Sequence, residues 1–204
     1  MARGDTYPPE VLTRSEADRL LAACRRSPTG LRNRALIVLL YRGGLRLAEA
    51  LAVRPHDIDW GTGDVRVLNG KGGRPRTTGI DQEAIAVLGE WAAARRGLSP
   101  PRDAPLICTL KGEPVKQAYV RALLPRLAER AGIRKRVHAH GLRHTAAYEW
   151  SAEGANVHEI RDLLGHRSLA TTDTYLRALG ASSAVEFARS RRWHADDEPV
   201  AEES

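Results

Sequence analysis

The segment His140-Gly141-Leu142-Arg143-His144 concentrates groups that handle phosphate. His140 and Arg143 are three residues apart where a helix begins, so both side chains can face one point. A helix N-terminus already favours anions, because its free N–H groups and its dipole point outward there. An arginine adds a planar fork matched to two phosphate oxygens, and a histidine trades a proton near neutral pH. Taken alone, the same residues read equally well as a capped helix with an exposed arginine.

A second segment runs Leu164-Gly165-His166-Arg167-Ser168-Leu169-Ala170-Thr171-Thr172-Asp173-Thr174-Tyr175. A glycine ends a helix, a histidine sits in the turn, and a tyrosine follows on the next helix. Tyrosine is an uncommon nucleophile, since a pKa near 10 leaves it protonated. It needs cations and a proton acceptor beside it. By itself Tyr175 is more readily a core residue with a hydrogen-bonded hydroxyl.

Two further segments carry cations. In Gly43-Gly44-Leu45-Arg46-Leu47-Ala48-Glu49, Arg46 is bracketed by leucines, which predicts partial burial and a partner. Glu49 is that partner, either in a plain helix ion pair or aiming Arg46 at a phosphate. In Gly70-Lys71-Gly72-Gly73-Arg74-Pro75-Arg76 a lysine sits on a glycine turn. This is no phosphate loop of the nucleotide-binding kind: Gly72 replaces the Ser or Thr, and the flanks read as strands. Lys71 can instead reach a DNA backbone, although a solvated basic loop has the same composition. His138, His140 and His144 have imidazoles that could bind zinc, but no cysteine or well-placed carboxylate completes a set, and no metal is expected.

These residues need a scaffold, and its pattern is mostly helical. Thr13-Arg14-Ser15-Glu16 is a capping box that opens the first helix. Helices follow over about 31–41, ended by Gly43-Gly44, and over 45–53, stopped by Pro55. Residues 57–60 and 64–68 alternate around a glycine turn, and a third run leads from Arg76 to Ile80. They predict a small antiparallel sheet of three short strands. Helices resume over 82–96, over 119–130 with Pro125 as a possible kink, and over 141–153. Asn156, with Glu159 three residues on, caps another that Gly165 ends. Ser168 or Thr171 caps the helix bearing Tyr175, and 184–193 reads as a last one. The expected fold class is α+β, mostly helical.

Composition agrees with a polyanionic partner. Among 204 residues, 32 Lys and Arg face 25 Asp and Glu, a net charge of +7. Five of the acids fall in the last nine residues; without them 32 cations face 20 anions, leaving a body of +12. Each phosphate that such a body neutralises releases counterions. Hydrophobic residues make up 42% and charged residues 28%, which excludes a disordered chain. No apolar run approaches membrane-spanning length, and the N-terminus lacks a signal-peptide core, so a cytoplasmic protein is expected. Cys24 and Cys108 read as two free thiols.

In this order, GGLRLAEAL, GKGGRPR, HGLRHT and LGHRSLATTDTY resemble the tyrosine recombinase (phage integrase) family, over about 12–179. The resemblance implies that family's catalytic-domain fold and cleavage and rejoining of double-stranded DNA through a 3′-phosphotyrosine, without metal, ATP or other cofactor. It implies that Arg46 and Arg143 clamp the non-bridging oxygens. Lys71 would protonate the leaving 5′ oxygen, His140 assist removal of the tyrosine proton, and His166 hydrogen-bond the phosphate. Tyr175 would be the nucleophile and Glu49 a support for the arginine. Arg74, Arg76, Arg134, Lys135 and Arg136 are candidates for phosphate contacts that position DNA without reading it.

The expected organisation is a linker remnant over 1–11, a catalytic domain over 12–194 and an acidic flexible tail over 195–204. The family's helical core-binding domain, which completes a clamp around DNA, would be missing ahead of Leu12. A helix near Ala184-Val185-Glu186-Phe187 could dock on a neighbour in a four-subunit synapse, with a monomer in isolation, or pack on its own domain. The Ala- and Arg-rich composition suggests a GC-rich bacterial genome, with a phage or plasmid origin also open. A type IB topoisomerase-like relaxing enzyme would share the chemistry without partner exchange, and an idle DNA-binding relic would share only the fold.

Overall fold

The computed structural model describes residues 10–68 and 75–166. Seven helices and one small sheet are built from them: α1 Arg14–Ala22, α2 Pro28–Tyr41, α3 Leu47–Ala52, β1 Asp64–Val67, β2 Arg76–Gly79, α4 Gln82–Arg96, α5 Gln117–Arg130, α6 Ala139–Ala152 and α7 Val157–Leu164. The fold is mostly helical with a small antiparallel sheet, as the sequence predicts.

Helix α2 is the centre. Ala35, Leu36, Ile37, Val38, Leu39, Leu40 and Tyr41 are consecutive and all buried, so every side of the helix faces protein. It packs against α3, α4 and α6. Trp91 on α4 is fully buried and its indole N–H donates to the Leu106 carbonyl at 2.7 Å. That bond satisfies the one polar atom of a large side chain and ties the 104–108 loop to the core.

The caps explain where helices begin. The Thr13–Glu16 box is formed in both directions, and so is the Asn156–Glu159 box of α7. Helix α2 starts at Pro28, three residues before the expected position 31, because Ser27 accepts from the Gly30 N–H and Pro28 occupies the first turn. Helix α6 starts at Ala139 rather than Gly141, because His138 acts as the cap: its Nδ1 accepts from the Gly141 N–H at 3.1 Å. Helix α5 begins at Gln117 and keeps Pro125 within it.

The sheet is smaller than expected among the described residues. Strands β1 and β2 pair antiparallel from Asp64 opposite Gly79 to Val67 opposite Arg76. The stretch 57–60 contributes a single bridge, Ile58 to Val65. Residues Pro55–Asp57 are still turning as a short 3-10 helix, with the Asp57 carboxylate accepting from the Arg54 N–H at 2.9 Å. Asp59 then caps the next turn, accepting from Gly61 and Thr62. Too few extended residues are left between the two turns for a strand. Within the sheet, Val65, Val67 and Thr78 point inward. No helix among the described residues is long and apolar enough to cross a membrane.

Candidate active site

The site begins where α2 ends. After Tyr41 the chain turns through Gly43 and Gly44, and Gly44 has φ +59°. A β-carbon on Gly44 would lie 2.5 Å from Cη2 of Trp150, so only glycine lets α6 come this close. The turn delivers Arg46 to the cap position of α3. Glu49, in the first turn, reaches back: Oε2 accepts from the Arg46 backbone N–H at 2.8 Å and Oε1 from its Nη1 at 2.8 Å.

Glu49 is only 4% exposed and holds a second arginine as well. Arg76, entering from β2, donates Nη1 to Oε1 at 3.0 Å and Nη2 to Oε2 at 2.8 Å. Arg143 from α6, 1% exposed, brings Nη1 to 3.9 Å from Oε2. Burial alone would raise the Glu49 carboxyl, but the bonds from Arg76 and Arg46 outweigh it and hold its pKa at about 2. Three guanidinium groups thus meet one carboxylate at this corner, among the described residues. A surplus of positive charge remains, of the sign that would attract a phosphodiester.

The same arginines cap the end of α7. Arg76 Nε donates to the Leu163 carbonyl at 3.0 Å, Arg143 Nη2 to Leu164 at 2.5 Å and Arg46 Nη2 to Gly165 at 3.3 Å. A helix leaves its last carbonyls without partners, and cations are favoured there by the dipole. Arg143 Nη1 also donates to the Gly44 carbonyl at 2.6 Å, which joins α6 to the turn that carries Arg46. Gly165 then reverses the chain with φ +64°, and His166 follows, half-buried beside the arginines.

The histidines feel that charge. Burial, then the Arg143, Arg46 and Arg76 cations, push His166 down to about 4. His140 is lowered by burial first and by Arg143, His138 and Arg46 after it. His144 is buried on the same helix, its ring 4.1 Å from that of His140, and is pushed down to about 3 by burial and its cationic and imidazole neighbours. At neutral pH these imidazoles are uncharged. A neutral His140 can accept a proton, and a neutral His166 can still donate one N–H.

The structure therefore brings together Arg46, Glu49, His140, Arg143 and His166. Lys71, Arg74 and Tyr175 lie outside the described residues. Arg134 and Arg136 are exposed on the loop before α6, near His138. Lys135 is turned away from that surface, with Nζ on Glu16 Oε2 at 2.7 Å and the Val11 carbonyl at 2.9 Å. Arg76 departs from its expected place among surface phosphate contacts: it points into the protein. Its strand face held the clue, since Arg76, Thr78 and Ile80 alternate and Ile80 is apolar. Glu49 of this corner lines a surface hollow of about 590 Å³.

Known proteins resemble this chain in sequence and in fold. The tyrosine recombinase XerC of Xanthomonas axonopodis pv. citri (strain 306) is 38% identical over 167 residues, 82% of this chain and 53% of the relative. That of Xylella fastidiosa (strain M23) is 35% identical, over 82% of this chain and 55% of the relative. The chain thus spans about half the length of the curated relatives it matches. The crystal structure of XerA recombinase superposes with a TM-score of 0.78 at 26% identity, covering 93% of this chain and 68% of that one. The XerH site-specific recombinase gives 0.74 at 28% identity, covering 90% and 53%. Residues 10–181, which include every segment that builds the corner, match the phage integrase family, and the chain belongs to that family.

Proposed function

We propose that this chain is the catalytic domain of a site-specific recombinase that cleaves and rejoins double-stranded DNA through a phosphotyrosine at Tyr175. The observation that carries the proposal is the convergence of Arg46, Arg143, His140 and His166 on one cationic corner held by Glu49. The similar XerH structure is a post-cleavage complex bound to its palindromic difH substrate, which supports duplex DNA as the ligand here.

In this reading Arg46 and Arg143 hold the two non-bridging oxygens of the scissile phosphate. The Tyr175 hydroxyl attacks phosphorus while its proton passes to His140. The bond to the 5′ oxygen breaks, and Lys71 gives that oxygen its proton. His166 donates to a phosphate oxygen as negative charge builds in the transition state. Preorganised cations of this kind carry most of the catalysis in phosphoryl transfer. The phosphotyrosine ester keeps the energy of the broken bond, so resealing by the 5′ hydroxyl needs neither ATP nor metal. The protein acts in the cytoplasm, as four copies around paired DNA sites.

The test is covalent trapping. Nicked duplexes from the DNA flanking the gene are incubated with the chain, so that the cleaved end diffuses away. A denaturant-resistant protein–DNA adduct is expected, and it disappears in Tyr175→Phe. DNA binding without any adduct, even after a relative's core-binding domain is fused ahead of residue 10, would reduce the chain to a DNA-binding relic.

A further inference from the structure

Arg76 has no task in the reaction just described, yet it is among the most heavily engaged side chains at the site. Its side chain is 10% exposed. Two of its nitrogens take both oxygens of Glu49, and the third takes the Leu163 carbonyl at the end of α7. Three of its five N–H groups, including the edge formed by Nη1 and Nη2, are thus committed to the protein. Gly165 gives an independent sign of how closely this side chain is fitted: a β-carbon there would lie 2.8 Å from Arg76 Cδ and 3.1 Å from Nε. Arg76 also opens β2, the strand reached directly after the segment that contains Lys71.

We propose that Arg76 is a positioning residue for DNA cleavage, clamping Glu49 and the last turn of α7 into one body so that Arg46, Arg143 and His166 meet the phosphate in a fixed relation. The fork is what the task requires. Only a planar guanidinium can fill two carboxylate oxygens and a carbonyl together, whereas lysine offers one point charge. Without Arg76, Glu49 would share its charge among fewer partners, and Arg46 and α7 could shift independently. A misplacement of about 1 Å at a reacting centre costs about 100-fold in rate.

The proposal rests on the recombinase reading for its kinetic consequence but not for the clamp itself. The experiment compares wild type with Arg76→Gln and Arg76→Lys. Adduct formation on a nicked duplex, at saturating protein, is expected to fall about 10- to 100-fold in Arg76→Gln. Arg76→Lys, which keeps the charge and guards against a folding defect, recovers only part of the rate. DNA affinity and its salt dependence stay at the wild-type values. If affinity falls instead and the salt slope drops by about one, Arg76 is a phosphate ligand and the proposal is overturned. It is equally overturned if both folded variants cleave at the wild-type rate. Carboxylate NMR titration reads the clamp without DNA: the Glu49 midpoint is expected to move up from about 2 in Arg76→Gln. An unchanged midpoint removes the clamp, whereas a wild-type protein that never forms an adduct removes only the recombinase reading.

Discussion

Glu49 sits where burial and charge oppose each other, and its behaviour in acid follows from that opposition. A carboxylate removed from water is costly unless it is paired and hydrogen-bonded. Here Arg46 and Arg76 supply four N–H donors between them, and the pKa of about 2 lies well below the ordinary 4.5. The folded-state value is the depressed one. The contribution to stability is therefore complete above about pH 4.5 and is lost as pH falls towards 2. Its size is about 3 kcal/mol by proton linkage. Glu49→Gln should destabilise the protein at pH 7 by about 3–5 kcal/mol, since it leaves buried cations without their anion. Denaturant titrations at pH 7 and pH 3 check the cause. The gap between wild type and variant should narrow by about 2 kcal/mol at the lower pH. A gap of constant width would mean that shape rather than charge holds the corner. Glu49 was legible in sequence as a partner of Arg46, because both belong to one turn of helix. Its second partner was not, because Arg76 lies 27 residues away and meets it only through the fold.

At the scale of elements, α7 has a C-terminus built from elsewhere in the chain. Its carbonyls at Leu163 and Leu164, and the next at Gly165, are each taken by an arginine from a different element. Gly165 makes the arrangement possible in two ways, through its positive φ and through the room it leaves for Arg76. Gly165→Ala should cost about 1–2 kcal/mol for the left-handed backbone alone. The contact with Arg76 should add to that loss and slow cleavage further than the melting temperature alone would account for. Thermal melts and adduct rates measured together separate the two effects; a variant that melts lower but cleaves normally would deny the helix end any part in placing His166. Local signals made these elements readable. The boxes at Thr13 and Asn156 and the glycine at 165 carry their meaning in three or four adjacent residues. The helix start at His138 was less legible, since histidine is an unusual cap, whereas Ser27 followed by Pro28 is a start signal that the apolar run from Leu31 overshadowed. The strand expected over 57–60 was lost for a related reason: two aspartates there bind nearby backbone N–H groups and turn the chain instead. A capping interaction competes with a strand and wins when the strand would be only four residues long.

For the whole molecule, two groups of basic charge among the described residues bear on DNA, the buried arginines of the corner and an exposed edge on the loop before α6. These two groups of charge should respond differently to solution conditions. Arg134 and Arg136 are exposed, so replacing either by alanine should weaken DNA binding across sequences and reduce the salt slope by about one. Lys135→Ala should leave the slope unchanged, because its ammonium is already held by Glu16 and Val11. The buried arginines act through the histidines instead. Burial first, and the arginine charge after it, hold His140 below its ordinary value and His166 at about 4, so both rings are neutral in the free protein at pH 7. A phosphate entering the corner offsets the arginine charge and returns both pKa values towards the ordinary range. Protons are then taken up on binding, and affinity should tighten as pH falls from 7 towards 5. Cleavage should move the other way, because His140 must be neutral to accept the tyrosine proton and becomes charged over the same interval in the bound complex. Fluorescence binding and single-turnover adduct formation across that range test the pair. Opposed trends support one shared electrostatic origin, and binding and cleavage that weaken together in acid would show that His140 and His166 do not answer to the phosphate.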